Sequence, residues 1–126
     1  MTQKQRSIWG VAFCGTAVIL GAFGAHLLKA HLSSDALQSF EVGVRYQFFH
    51  GLALLFLSNL THSFVKRTVL FFVVGTLLFS GSIYGLSISS NASIALLPKI
   101  LGPVTPIGGL LLILGWINLL IGYLRS

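Results

Sequence analysis

Acidic residues are nearly absent from this chain. Asp35 and Glu41 are the only two in 126 residues, and charged residues of both signs reach just 8%. A soluble domain carries about 25% charged residues, so this chain cannot cover a water-facing surface. Without acids inside its apolar runs it has no carboxylate pair for acid–base chemistry, and proton-coupled export of the small four-helix drug-exporter kind is disfavoured. Cysteine is equally scarce. Cys14 stands alone within the first apolar run, which excludes an intramolecular disulfide and a thiolate metal cluster. A nucleophile–base pair and a phosphate-binding loop are also missing, so no enzyme activity is expected. The formal charge of +6 comes from eight Lys/Arg, but these are scattered singly or in pairs. With no basic stripe to neutralise a run of phosphates, nucleic acid is not an expected partner. The basic residues read as topology signals and anionic-lipid contacts.

What the chain has is apolar sequence, 55% of it. Four runs stand out, at about 8–28, 46–64, 69–87 and 106–124. Each is about 20 residues, enough at ~1.5 Å per residue to span a ~30 Å hydrocarbon core. Backbone in lipid must satisfy itself, so the runs are predicted helices. The expectation is one all-α domain over 1–126, an antiparallel bundle of four transmembrane helices at about 8–28, 35–64, 69–88 and 106–124. Lys4 and Arg6 before the first run resemble a signal peptide. Cleavage after Ala25 would put Phe23 where a small residue is needed, and cleavage after Gly24, behind Ala22, is weak. The run also continues through Leu27 and Leu28, so a retained helix is expected.

Local signals refine these bounds. Ser33, Ser34 and Asp35 offer an N-cap for the second helix, with Gln38 in capping-box position. Glu41 and Arg45, spaced i,i+4, can pair at the membrane edge. Lys66 and Arg67 make a short connection, and Thr68 is the expected cap of the third helix. Residues 94–101, broken by Pro98, are too short to span and read as an interfacial or re-entrant piece. Thr105 and Pro106 form a helix start, with Thr as N-cap and Pro at the first helical position. Lys4, Arg6, Lys66, Arg67 and Arg125 fall on one side and Lys29, Arg45 and Lys99 on the other. That bias puts both termini in the cytoplasm.

Small residues are expected to carry helix packing. Ala17, Gly21 and Ala25 form a ladder on the first helix, and Gly81 and Gly85 a GxxxG pair on the third. Gly108, Gly115 and Gly122 repeat every seven residues on the fourth, with Asn118 on the same face as an interhelical hydrogen-bonding group. These faces also permit a homo-oligomer. Placed by depth, His26, Arg45, Tyr46, Gln47, His50, Ser80, Ser82, Tyr84 and Thr105 gather in one outer layer, with Glu41 at its edge. Each has a bland and a sharp reading. His26 and His50 could ligate a metal or haem, but neither has a His/Glu companion at ligand spacing, so neither a metal nor a cofactor is expected. Arg45 with Glu41 could hold an anion, or simply anchor. Tyr46 and His50 could relay a proton, or bond structurally. Trp9 and Tyr123 sit at aromatic-belt depth, and Trp116 is expected in the core.

These segments carry a resemblance. Gly21-Ala-Phe-Gly-Ala-His26, Gly43-Val-Arg-Tyr-Gln-Phe-Phe-His50, Phe79-Ser-Gly-Ser-Ile-Tyr84 and Gly102-Pro-Val-Thr-Pro-Ile-Gly-Gly109, followed by Gly115 and Trp116, resemble the signature segments of one family. It is the domain of unknown function 423 family of small membrane proteins, which includes transmembrane protein 256. A minor departure is Leu27, where a glycine would follow the histidine. The resemblance implies a four-helix protein of the bacterial inner membrane and carries no activity. Three classes of function stay open. The first is a structural, assembly or lipid-interacting protein, with membrane lipids as its partners. The second is a transporter or channel component with an outward pocket floored by His26, Arg45, Tyr46, His50 and Tyr84. The third is a haem- or metal-binding membrane protein or a membrane enzyme.

Overall fold

The computed structural model describes residues 1–89 and 97–126, which form four long helices and no strand. The first, α1 (Gln3–Leu28), begins earlier than its apolar run. Thr2 Oγ1 accepts from Gln5 N at 3.1 Å, and Gln5 Oε1 accepts from Thr2 N at 2.8 Å, a closed capping box. Lys4 and Arg6 therefore lie on the helix. Arg6 is buried against the connection after residue 58, with Nη1 donating to Leu60 O at 3.3 Å.

One turn of α1 is π-helical, over Leu20–Gly24, and Ala25 N reaches back to Leu20 O. The wider turn rotates everything after it relative to a regular helix. The expected ladder holds in part. Ala17 is buried and a Cβ on Gly21 would stand 3.3 Å from Val44 Cγ1 of α2, while Ala25, beyond the π-turn, is only half-buried. The closest approach of α1 to its neighbour lies elsewhere. A Cβ on Gly10 would stand 2.9 Å from Gly51 O, and one on Gly51 would stand 3.0 Å from Cys14 N.

The second helix, α2 (Ser34–Ser58), is capped by Ser33, whose Oγ accepts from Ala36 N at 3.1 Å. Asp35 in its first turn suits the positive helix end. It stops before the expected Phe64. Ser58 Oγ and Asn59 Nδ2 both donate to Leu55 O, at 2.7 and 3.3 Å, occupying a terminal carbonyl. The third helix, α3 (Val65–Ser89), starts before Thr68. Thr68 is thus no cap but a fully buried interior residue.

The last helix, α4 (Leu97–Arg125), runs straight through Pro103 and Pro106. The helix start expected at Thr105 is not one. Thr105 Oγ1 instead bonds back to Leu101 O at 3.4 Å. Prolines are tolerated inside membrane helices where hydroxyls and neighbouring helices take up the freed backbone groups. Of the expected interfacial segment, residues 97–101 are the first turns of α4, and 94–96 lie outside the described residues.

The helices pack in chain order, α1 on α2, α2 on α3 and α3 on α4. The core joins Phe13, Leu54, Leu57, Val65, Val69, Phe72, Val73 and Leu112, with α3 contributing most. Large apolar side chains cover the outside as well. Phe23, Leu27, Phe56, Leu120 and Leu124 are each at least 59% exposed. A soluble monomer rarely shows contiguous apolar patches above a few hundred Å², so the surrounding solvent is lipid. Gln3–Leu28, Val65–Ser89 and Pro98–Arg125 are long and apolar enough to cross a membrane. The α2 helix matches them in length at 25 residues, but Glu41, Arg45, Gln47 and His50 dilute its apolar character.

Candidate functional site

The polar residues expected in one layer are sorted by helix face rather than by depth alone. Gln47, buried on α2, joins three helices. Its Nε2 donates to Phe13 O at 2.9 Å and to Thr16 Oγ1 at 2.6 Å, both on α1. Its Oε1 accepts from Tyr84 OH on α3 at 2.7 Å. Both amide protons and the amide oxygen are therefore engaged. Thr16 passes the chain on, donating to Ala12 O at 2.6 Å. Beside it, Ser80 Oγ donates to Gly43 O at 2.7 Å, a bond between α3 and the α2 backbone. Gly43 leaves room for this approach, since a Cβ there would meet Tyr84 Cε1 at 3.0 Å.

His50, one turn further along α2, makes the second junction. Trp116 Nε1 on α4 donates to His50 Nε2 at 3.0 Å, and His50 Nδ1 lies 2.7 Å from Tyr46 O. An indole N–H can only donate. Nε2 must then hold the lone pair and Nδ1 the proton, which it gives to Tyr46 O. Phe72 packs edge-on against the ring at 5.0 Å. The partner of His50 is the Tyr46 carbonyl, not its phenol, so no side-chain proton relay joins the two. With both nitrogens engaged, His50 has no lone pair left for a metal. Among the described residues no three His, Cys, Asp or Glu gather as a ligand set.

The α3–α4 seam is closed by a third set of contacts. Ser82 Oγ and Thr105 Oγ1 are 2.5 Å apart. Asn118 Nδ2 donates to Phe64 O at 3.0 Å and Thr68 Oγ1 at 2.8 Å. Gly108 lies against the Phe79 backbone and Gly75 O, with no space for a Cβ. Gly115 faces Phe72, and Gly122 faces Phe64. Of the expected GxxxG pair, Gly85 faces Leu101, but Gly81 has nothing within 4 Å among the described residues and borders the open space between α1, α2 and α3.

Three expected members stand apart. His26, Glu41 and Arg45 are exposed, and no ion pair joins Glu41 to Arg45 among the described residues. Tyr46 is 40% exposed, its ring resting on Phe79 at 4.8 Å. Among the described residues, an outward pocket floored by His26, Arg45, Tyr46, His50 and Tyr84 is therefore not assembled, since His50 and Tyr84 bond inward. Trp116 is not a core residue either. It is half-exposed, with one side of its ring against Phe72 at 4.8 Å and its N–H turned to His50. Sequence reasoning missed Phe13, Thr16, Gly43 and Thr68. Two of these, Phe13 and Gly43, accept at ordinary backbone carbonyls, which have no side-chain signature.

A cavity of about 210 Å³ lies between α1, α2 and α3. Phe13, Thr16, Gln47, Thr76, Ser80 and Tyr84 line it. Thr76, 2% exposed, has an Oγ1 with no hydrogen-bond partner among the described residues.

The family model for a protein of unknown function, DUF423, matches residues 20–109. That match spans the π-turn, Gln47, His50, Tyr84 and Thr105. A UPF0382 membrane protein of Haemophilus influenzae is 39% identical, over 98% of this chain and 97% of its own. The UPF0382 inner membrane protein YgdD of Escherichia coli is 36% identical, over 99% and 93%. A UPF0382 membrane protein of Schizosaccharomyces pombe is also 36% identical, over 91% and 99%. No solved structure matches the chain. With that coverage and those identities, the chain belongs to the DUF423 family of membrane proteins.

Proposed function

We propose that this chain is a four-span, non-catalytic scaffold of the inner membrane, structural or lipid-interacting in role, with both termini cytoplasmic. The carrying observation is the closure of its polar interior. Gln47 uses both amide protons and its oxygen, and His50 uses both ring nitrogens, all on other helices or backbone. A site that binds or turns over a ligand keeps polar groups free, whereas these hold helices together. The α2 helix fits as the remaining span. Its Gln47 and His50 turn inward, while Phe49, Leu52 and Phe56 turn to lipid. Glu41 and Arg45 then sit toward the headgroups. The inner-membrane relative in Escherichia coli and the Lys/Arg bias support the location and orientation.

Two experiments test this. Reporter fusions at the C-terminus and in the 59–64 connection should both report cytoplasm; a periplasmic C-terminus sinks the orientation. Gln47→Leu should lower the unfolding temperature in detergent; an unchanged fold would leave the scaffold without its lock.

A second reading, a transporter or channel component, is favoured by the 210 Å³ cavity. Thr76 Oγ1, buried and unpartnered, lines it. Thr76→Cys in a Cys14→Ala background should resist a water-soluble maleimide if the bundle is only a scaffold. Rapid labelling would favour a hydrated pocket.

A further inference from the structure

We propose that the groove between the start of α3 and the end of α4 binds the phosphate headgroup of an anionic phospholipid. Its cavity measures about 380 Å³ and is lined by His62, Ser63, Phe64, Arg67, Ile121 and Arg125. That volume is in the range of small-ligand sites, roughly 300–1,000 Å³. Arg67 and Arg125 come from different helices and face one space. No acidic side chain lies at this end, because Asp35 and Glu41 both belong to the opposite end of α2. Even with a carboxylate on Ser126, two guanidinium groups leave the groove net positive, and Lys66 is not part of its lining.

The chemistry matches a phosphate monoanion. A guanidinium presents a planar fork of N–H donors that fits two phosphate oxygens at once, and Ser63 adds a hydroxyl at the rim. The opposite wall is apolar. Phe64 and Ile121 lead onto the lipid-facing side of α4, where Ile117, Leu120 and Leu124 are exposed. An acyl chain can follow that wall while the headgroup stays in the groove. His62, Phe64 and Tyr123 form an aromatic group with ring centroids 5.1, 5.3 and 6.0 Å apart. Such groups mark the headgroup level of a bilayer. A topology signal needs only charge on one side; it needs neither a cavity nor two arginines from separate helices. The inference does not depend on the role given to the Gln47 and His50 junctions, which lie deeper in the bundle.

The test uses the full chain in neutral detergent. Phosphatidylglycerol, phosphatidylcholine and inorganic phosphate are titrated separately, with native mass spectrometry and unfolding temperature as readouts. Saturable binding of phosphatidylglycerol, without equal binding of phosphatidylcholine, is expected. Arg67→Gln with Arg125→Gln should weaken it at least tenfold, at about fivefold per charge. Lys4→Gln with Lys66→Gln removes the same charge from the same end and should change it less than twofold. Equal losses in the two double variants would mean diffuse attraction and overturn the site. So would equal binding of phosphatidylcholine, or a shift that phosphate alone reproduces in full. If the glutamine pair does not fold, Arg67→Lys with Arg125→Lys keeps the charge; wild-type affinity there overturns the paired-guanidinium site.

Discussion

Trp116 Nε1 lies 3.0 Å from His50 Nε2, a side-chain bond linking α4 to α2 across the face of Phe72. It ties together two helices that both pack on α3 and hardly on each other. The bond also selects the histidine tautomer, since its other nitrogen must donate to Tyr46 O.

The first prediction concerns that bond. Trp116→Phe keeps most of the apolar area but leaves His50 Nε2 without a donor. Interhelical hydrogen bonds in membranes are worth about 0.6 kcal/mol on average, and an unsatisfied acceptor adds to the loss. The variant should lose on the order of 1 kcal/mol in a denaturant titration in micelles. Nitrogen NMR of labelled His50 should show the Nδ1–H tautomer in both proteins. An Nε2–H tautomer in the wild type would contradict the arrangement.

Gln47 and Tyr84 offer a coupled test. Tyr84→Phe removes one bond, leaving Gln47 Oε1 unpaired, while Gln47→Leu strands Tyr84 OH as well as partners on α1. The leucine variant should therefore be the less stable of the two. Because the pair shares a bond, the double variant should be less destabilised than the sum, by about 0.5–1.5 kcal/mol. Strict additivity would show that the two side chains do not meet.

Two glycines with the same sequence reading should behave oppositely. Gly108 is pressed on the Phe79 backbone, so Gly108→Ala must push α3 and α4 apart, at roughly 1–3 kcal/mol. Gly81 faces open space, so Gly81→Ala should be neutral or slightly stabilising through helix propensity, up to ~1 kcal/mol. Thermal unfolding in one detergent compares them directly. Equal losses at both positions would mean that Gly81 is covered, for instance by a second copy of the chain.

These contrasts show what was legible in the residues. Run length and scarce charge announce helices in lipid, because both follow from the bilayer alone. The heptad of Gly108, Gly115 and Gly122 keeps one face because α4 is regular through it. The ladder of Ala17 and Gly21 is less well kept at Ala25, because a π-turn intervenes and its extra residue leaves no mark on the small-residue spacing. Thr68 and Thr105 look like caps, since a hydroxyl before an apolar run is the usual cap signal. Both serve instead as interhelical partners, of Asn118 and Ser82 respectively. Depth groups Gln47, His50 and Tyr84 with Arg45, but depth carries no azimuth. Only the fold separates the inward amide and imidazole from the outward guanidinium.

Thr76 provides the last prediction. Its hydroxyl is buried in a cavity and lacks a partner, although its position one turn after Phe72 on a helix would let it bond back to that carbonyl. A buried hydroxyl without a hydrogen bond costs about 1–3 kcal/mol. Thr76→Val removes that hydroxyl with little change of shape. In a dry cavity the variant should be more stable than the wild type by about 1 kcal/mol. In a cavity that holds water or a polar ligand, the same change removes a hydrogen bond and the variant should be less stable. Unfolding free energies of the two proteins in the same micelle give the sign. A stabilised variant sets the cavity down as a packing flaw of the scaffold; a destabilised one transfers the weight to a bound polar guest among Thr16, Gln47, Thr76 and Tyr84.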